Sequence, residues 1–203
     1  MEKVTSTLRF KMDKIDFIKQ FIKHPTSVGA IAPSTEELAE QMIAPIKLDK
    51  IKTIVEYGAG TGVFTKYVAD RINKKKTLFF SFEIDEKLHE ISSQKVPEIE
   101  ILKDSASNVC KHLRRRGKKH TDAIISGLPW AVFPNDLQDE ILDATLRALK
   151  PGGIFTTFTY IHSLYLPAAC RIRSKLKKNF TEVSMSPIVW ANMPPAIVYW
   201  CKK

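Results

Sequence analysis

The sequence predicts an α/β domain built on a mostly parallel sheet, and three observations carry that expectation. A buried strand runs into a glycine-rich turn and then a helix at Val55-Glu56-Tyr57-Gly58-Ala59-Gly60-Thr61-Gly62-Val63-Phe64. Down the chain, apolar runs of strand length alternate with segments of helical period. Two apolar runs then close the chain, Phe180 to Met185 and Ala196 to Cys201, and they read as a terminal strand pair. Alternation of this kind places helices on both faces of the sheet.

Leu8 to Lys23 reads as a basic amphipathic helix. Leu8, Met12, Ile15, Ile18 and Ile22 form one apolar stripe, and Phe10, Phe17 and Phe21 form a second. Arg9, Lys11, Lys14, Lys19 and Lys23 flank them. One stripe can pack on the domain; the second needs lipid or a lid-like burial on two sides. His24-Pro25 ends the helix, so residues 1–24 form an N-terminal membrane or lid element and residues 25–203 the main domain. The small apolar run Ser27 to Ser34 suits a segment closing over a ligand, or a packed connection. Ser34 and Glu37 make a capping box for the next helix.

In the core, Ile51 to Val55 is the first strand. Phe64, Tyr67, Val68 and Ile72 give the helix after the glycine turn. Thr77 to Phe82 is the second strand, ending in Glu83-Ile84-Asp85. In nucleotide-binding sheets an acid at this tip accepts bonds from ribose hydroxyls, and Glu83 lies about twenty residues after the turn, as that rule expects. Asp85 suits a helix cap. Ile99 to Lys103 is the third strand. Asp104 after it can accept a bond from an adenine amino group or cap the helix carrying Val109 and Leu113.

Asp122 to Ile125 is the fourth strand and leads into Ser126-Gly127-Leu128-Pro129-Trp130. Leu137 to Leu149 is a helix stopped by Lys150-Pro151-Gly152-Gly153. Ile154 to Phe158 is the fifth strand, ending near Tyr160 and His162. Leu164-Tyr165-Leu166 then precedes a basic helix with Arg171 and Arg173. The apolar tip beside these cations suits lipid headgroups. Asn192-Met193-Pro194-Pro195 reads as a turn.

The net charge is +10, with 32 Lys and Arg against 22 Asp and Glu. That suggests an anionic partner, nucleic acid or membrane, or an inert basic surface. The run Arg114-Arg115-Arg116-Gly117-Lys118-Lys119 enters the amino end of the fourth strand. Ligands bind at carboxyl ends, so this run faces away from the chemistry and reads as a solvated turn. Cys110, Cys170 and Cys201 show no metal spacing or disulfide framework, which fits a reducing cytoplasm. No metal is expected. No apolar run reaches membrane-spanning length.

The spacing E-x-G-x-G-x-G from Glu56 to Gly62 departs from the dinucleotide fingerprint and resembles motif I of class I S-adenosylmethionine-dependent methyltransferases. The alternation of strands and helices, closed by the terminal strand pair, matches their Rossmann-like seven-stranded sheet, mostly parallel with an antiparallel last strand. Four further segments narrow the resemblance: Phe21 to Ser34, Ser126-Gly127-Leu128-Pro129, Phe158-Thr159-Tyr160, and Trp190 to Ala196. Together they resemble the bacterial phospholipid N-methyltransferases, which convert phosphatidylethanolamine toward phosphatidylcholine.

The resemblance implies S-adenosylmethionine as cofactor. It would be held by Glu56, Gly58, Gly60, Gly62, Glu83 and Asp104, with Ile84, Ser105, Ala106 and Ser126 beside them. It implies an amino-phospholipid acceptor, a peripheral position on the inner membrane surface, and membrane binding through the N-terminal helix with Lys14, Phe17 and Phe21. Leu128, Pro129 and Trp130 would wall the acceptor amine, with Trp130 offering a cation–π face. In the reaction, backbone carbonyls near Ser126 and the ring of Tyr160 would orient the amine lone pair, His162 would accept its proton, and His24, Lys23 or Arg171 would meet the lipid phosphate. Adenine N6-methyltransferases place Asn or Asp where Gly127 stands, so nucleic acid is disfavoured. An rRNA adenine methyltransferase and a non-catalytic relative are the alternatives.

Overall fold

The computed structural model describes residues 34–203. The expected helix at residues 8–23 and the segment through Pro33 lie outside them, as do Lys14, Phe17, Phe21 and His24.

The described chain opens with α1 (Glu36–Ile43). Its cap is Thr35, whose side chain accepts the Leu38 N–H. The expected Ser34 cap is therefore one residue early. The sheet elements follow in alternation: β1 (Thr53–Tyr57), α2 (Val63–Ala69), β2 (Leu78–Phe82), α3 (Glu86–Lys95) and β3 (Glu100–Leu102). A short 3-10 turn leads to α4 (Val109–Arg115), then β4 (Thr121–Ser126), a second 3-10 turn (Trp130–Val132), α5 (Asn135–Ala148) and β5 (Leu149–Tyr160). After a third 3-10 turn (Ile161–Ser163) come α6 (Pro167–Asn179), β6 (Glu182–Met185) and β7 (Ala196–Lys202).

The seven strands form one sheet in the order β3-β2-β1-β4-β5-β7-β6. β1 pairs parallel with β2 and β4, and β4 pairs parallel with β5. β7 alone runs against its neighbours. The expected sheet is the observed one. Because the order reverses about β1, a crevice opens at the carboxyl ends of β1 and β4, where such sheets bind ligands.

Alternation of side chains across the sheet builds two cores. Val55, Tyr57, Ile124 and Phe155 point to the face covered by α4, α5 and α6. Ile54, Ala123 and Ile125 point to the other face, covered by α1 and α2. β1 is buried at every position, as a central parallel strand must be.

Two expected boundaries move. β1 begins and ends two residues later than expected, which places Glu56 inside the strand. The expected helix stop at Lys150 to Gly153 falls inside β5. α5 ends at Ala148, and Leu149 already pairs with Thr121. The ladder then slips at Thr121/Ala123, and the loop returns at Gly152 with φ 71°. Glycine is needed there because the conformation is left-handed.

Candidate active site

The glycine turn after β1 lies at the switch point. Gly58 and Ala59 donate their N–H groups to the carbonyl of Phe82 at 2.8 and 3.0 Å, which ties the turn to the end of β2. Gly58, Gly60 and Gly62 all have positive φ. At Gly60 an added Cβ would meet nothing within 4 Å, so the turn faces open space there.

Glu83 holds this turn from β2. Its Oε2 accepts the Gly60 N–H at 2.8 Å, and its Oε1 accepts the N–H groups of Ile84 and Asp85 at 2.8 and 2.9 Å. Oε1 is thereby filled, while Oε2 keeps an acceptor site for a ligand hydroxyl. Burial raises the carboxyl above its ordinary value, with the backbone donors pulling against that rise. Asp85 caps α3, accepting the Leu88 N–H at 3.0 Å.

Glu56 is buried. Its Oε2 accepts the Thr65 hydroxyl at 2.6 Å, and its Oε1 has no hydrogen-bond partner. Burial pushes its carboxyl up to about 7, the Thr65 bond opposing. An orphaned buried carboxylate oxygen beside an open glycine turn suits a cationic ligand group. S-adenosylmethionine carries an ammonium and ribose hydroxyls, so Glu56, the turn and Glu83 fit it.

Asp104 is bound locally. Its Oδ1 accepts the Ser105 N–H at 2.7 Å and the Asn108 amide at 2.8 Å, and Oδ2 lies 2.8 Å from His112 Nε2. Partial burial works to raise its carboxyl, yet the His112, Asn108 and Ser105 bonds outweigh it and hold the group below its ordinary value. One acceptor site remains on Oδ2. Ser105 caps the 3-10 turn through the Ser107 N–H. Ala106 is buried and packs into the core. Ile84 is half-buried against the same cluster.

The loop after β4 corrects one expectation. Trp130 is 2% exposed and packs against Phe133 and Phe155, so it offers no face to an amine. The cause is its indole N–H, which donates to Ser126 Oγ at 3.0 Å and turns the ring inward. Ser126 is buried and its hydroxyl accepts this bond. Leu128 instead lies against the glycine turn, its Cδ2 3.2 Å from where a Cβ on Gly58 would stand. Pro129 opens the second 3-10 turn.

An aromatic row lies at the end of β5. Phe64, the second residue of α2, meets Phe158 edge-on at 5.9 Å. Phe158 meets Tyr160 edge-on at 5.5 Å, and Tyr160 stacks on His162 at 5.7 Å with 8° between planes. The row runs from the glycine turn outward to exposed His162. Burial raises the Tyr160 phenol above its ordinary value. Arg171 is exposed on α6.

Sequence reasoning missed Thr65 and His112. Each lies one helix beyond the acid it serves, and only the packing of that helix on the sheet brings them together. The Arg114 to Lys119 run lies at the amino end of β4, away from this site. A cavity of about 700 Å³ lies on that same edge, lined by Lys50, Lys52, Lys74, Lys75, Lys76 and Lys118 among others. Among the described residues no His, Cys, Asp and Glu cluster could hold a metal, and no helix is long and apolar enough to cross a membrane. The three cysteines are free thiols.

Residues 54–153 match a family model described as a methyltransferase domain. The chain is similar to an ornithine lipid N-methyltransferase of Singulisphaera acidiphila, 27% identical over 191 residues that cover 92% of this chain and 94% of the relative. It is also similar to a solved structure described as an rRNA methylase from Clostridium thermocellum. There the TM-score is 0.61 at 19% identity, covering 86% of this chain and 98% of that one. A Streptococcus mutans methyltransferase in complex with SAH gives a TM-score of 0.60 at 18% identity, covering 85% and 100%. At these identities the two structures show a shared fold.

Proposed function

We propose that this chain, whose residues 54–153 match a methyltransferase domain, is a class I S-adenosylmethionine-dependent methyltransferase that transfers the methyl group to the headgroup amine of a membrane lipid. The observation that carries the choice of acceptor is Gly127. A Cβ there would stand 2.9 Å from the Gly58 carbonyl oxygen, so the loop has no room for the amide or acid that would clamp an adenine amine. The whole-length similarity to a lipid N-methyltransferase supports the same reading. Phosphatidylethanolamine and ornithine lipids both offer a primary amine, and either satisfies it.

S-adenosylmethionine supplies an electrophilic methyl group on a sulfonium. This chain's residues do the rest. The glycine turn, Glu56, Glu83 and Asp104 hold the cofactor, with Ile84 and Ser105 beside the adenine end. Phe158 and Tyr160 form an apolar wall that keeps water from the amine and aligns its lone pair. The amine must arrive neutral, and His162 at the outer end of the row is the proton acceptor we assign. The methyl group supplied by the bound cofactor would go to this nitrogen, and the new ammonium would give up a proton for any further round. Arg171 meets the lipid phosphate or carboxylate. Residues 1–24 hold the enzyme peripherally on the cytoplasmic face of the membrane.

Tritiated methyl transfer tests this directly. Label should enter vesicles containing phosphatidylethanolamine or ornithine lipid and should not enter ribosomal RNA. Label in RNA with none in either lipid would refute the proposal.

A further inference from the structure

Glu83 and Asp104 stand side by side at the carboxyl edge of the sheet. Their backbone N–H groups both donate to the carbonyl of Leu102, each at 2.9 Å, so one atom at the end of β3 sets the two acids against each other. The Asp104 side chain is 29% exposed, and water can satisfy a carboxylate there. The chain nevertheless supplies three donors. The Ser105 N–H and the Asn108 amide both go to Oδ1, and His112 Nε2 lies 2.8 Å from Oδ2. Opposite a carboxylate this nitrogen carries the proton and donates.

The three bonds are not equivalent. Two donors on Oδ1 let the carboxylate swing about that oxygen, and only the His112 bond fixes Oδ2. Asn108 caps α4 and His112 lies one turn further on, so the two grip Asp104 from one face of that helix. His112 is buried, and its ring meets Phe82 edge-on at 5.3 Å. Its carbonyl accepts Arg116 Nη1 at 2.9 Å. Phe82 is also the residue whose carbonyl holds the N–H groups of Gly58 and Ala59. The imidazole thus rests on the strand end that ties down the glycine turn, and it passes that fixed reference to Asp104.

We propose that His112 is the positioning residue that makes the cofactor site selective for adenine, by fixing Oδ2 of Asp104. This rests on Asp104 as the acid at the adenine end and goes one step further. Adenine presents a 6-amino donor, whereas hypoxanthine presents a 6-oxo acceptor. A fixed oxygen that can only accept favours the first and repels the second; one free to swing discriminates less.

The test titrates S-adenosylhomocysteine and S-inosylhomocysteine into the full chain by calorimetry and reads the ratio of their affinities. The wild type should prefer the adenosyl ligand. Asp104→Ala should lower that preference about tenfold, and His112→Leu about fivefold. His112→Gln returns a donor near the Nε2 position and should recover most of it. A packing defect weakens both ligands alike and leaves the ratio unchanged, so the ratio separates positioning from stability. If His112→Leu does not fold, His112→Met takes its place with the same expectation. A lost preference in Asp104→Ala with a wild-type ratio in His112→Leu would overturn the proposal and leave the adenine role of Asp104 standing. A wild-type ratio in both variants would overturn the two together.

Discussion

A side chain at Gly127 would press on the Gly58 carbonyl oxygen: an added Cβ would stand 2.9 Å from it. The two glycines meet where β1 and β4 end, and the Gly127 N–H donates to the Tyr57 carbonyl at 2.8 Å. Gly127→Ala must push the glycine turn or the loop aside. It should lower S-adenosylmethionine affinity and cost roughly 1–3 kcal/mol of stability, as overpacking does. Calorimetry and urea unfolding measure the two effects, and wild-type values in both would show that the approach is not tight.

Glu83 serves the turn as much as any ligand. Glu83→Gln with its amide at the Oε2 position presents a donor to the Gly60 N–H, where an acceptor is needed. Losing a charge-assisted bond costs about 1.5–3 kcal/mol, so cofactor affinity should fall about tenfold or more. Glu83→Ala should fall further. Titration calorimetry on the purified variants decides it, and undiminished affinity would remove Glu83 from the site.

The raised carboxyl of Glu56, about 7, makes a pH prediction with a definite sign. Between its ordinary value of 4.5 and about 7 the folded state binds more protons than the unfolded state, so stability falls as pH rises through that window. Glu56→Gln has no such titration. From pH 5.5 to 8 the stability of wild type relative to Glu56→Gln should drop by about 2 kcal/mol. Urea melts at the two pH values test this. A constant difference would mean that Glu56 is ionised throughout.

Ser126 and Trp130 form a structural pair. Ser126→Ala leaves the buried indole N–H without its acceptor and should destabilise the fold by about 1–3 kcal/mol. Turnover measured well below the melting temperature should be nearly unchanged. A large loss of kcat at intact stability would instead place the hydroxyl in the chemistry.

The sheet and the acids at its strand tips were legible because each depends on local pattern. Continuous apolar runs, glycines where φ is positive, and an acid ending a strand are written in adjacent residues. Trp130 was misread because an aromatic after a strand tip carries no sign of which way it turns. That direction is set by Ser126, four residues back, and by Phe155 on another strand. The aromatic row Phe64–Phe158–Tyr160–His162 was hidden for the same reason: it joins α2 to β5 across 94 positions of sequence, from 64 to 158. The partners of Glu56 and Asp104 likewise come from helices whose packing angle no local pattern encodes. The β1 boundary slipped because Glu56 and Tyr57 look like turn residues until helices on the two faces, α2 and α5, supply Thr65 and Thr145.

The central claim is that a methyl group held at the β1 turn passes to a lipid amine. Trideuteromethyl-labelled S-adenosylmethionine, incubated with the protein and bacterial membranes, reads it most directly by fragment mass spectrometry of the lipid extract. The account predicts label on the headgroup nitrogen of an amino lipid, abolished in Glu83→Ala. Unlabelled lipids alongside labelled RNA would contradict it.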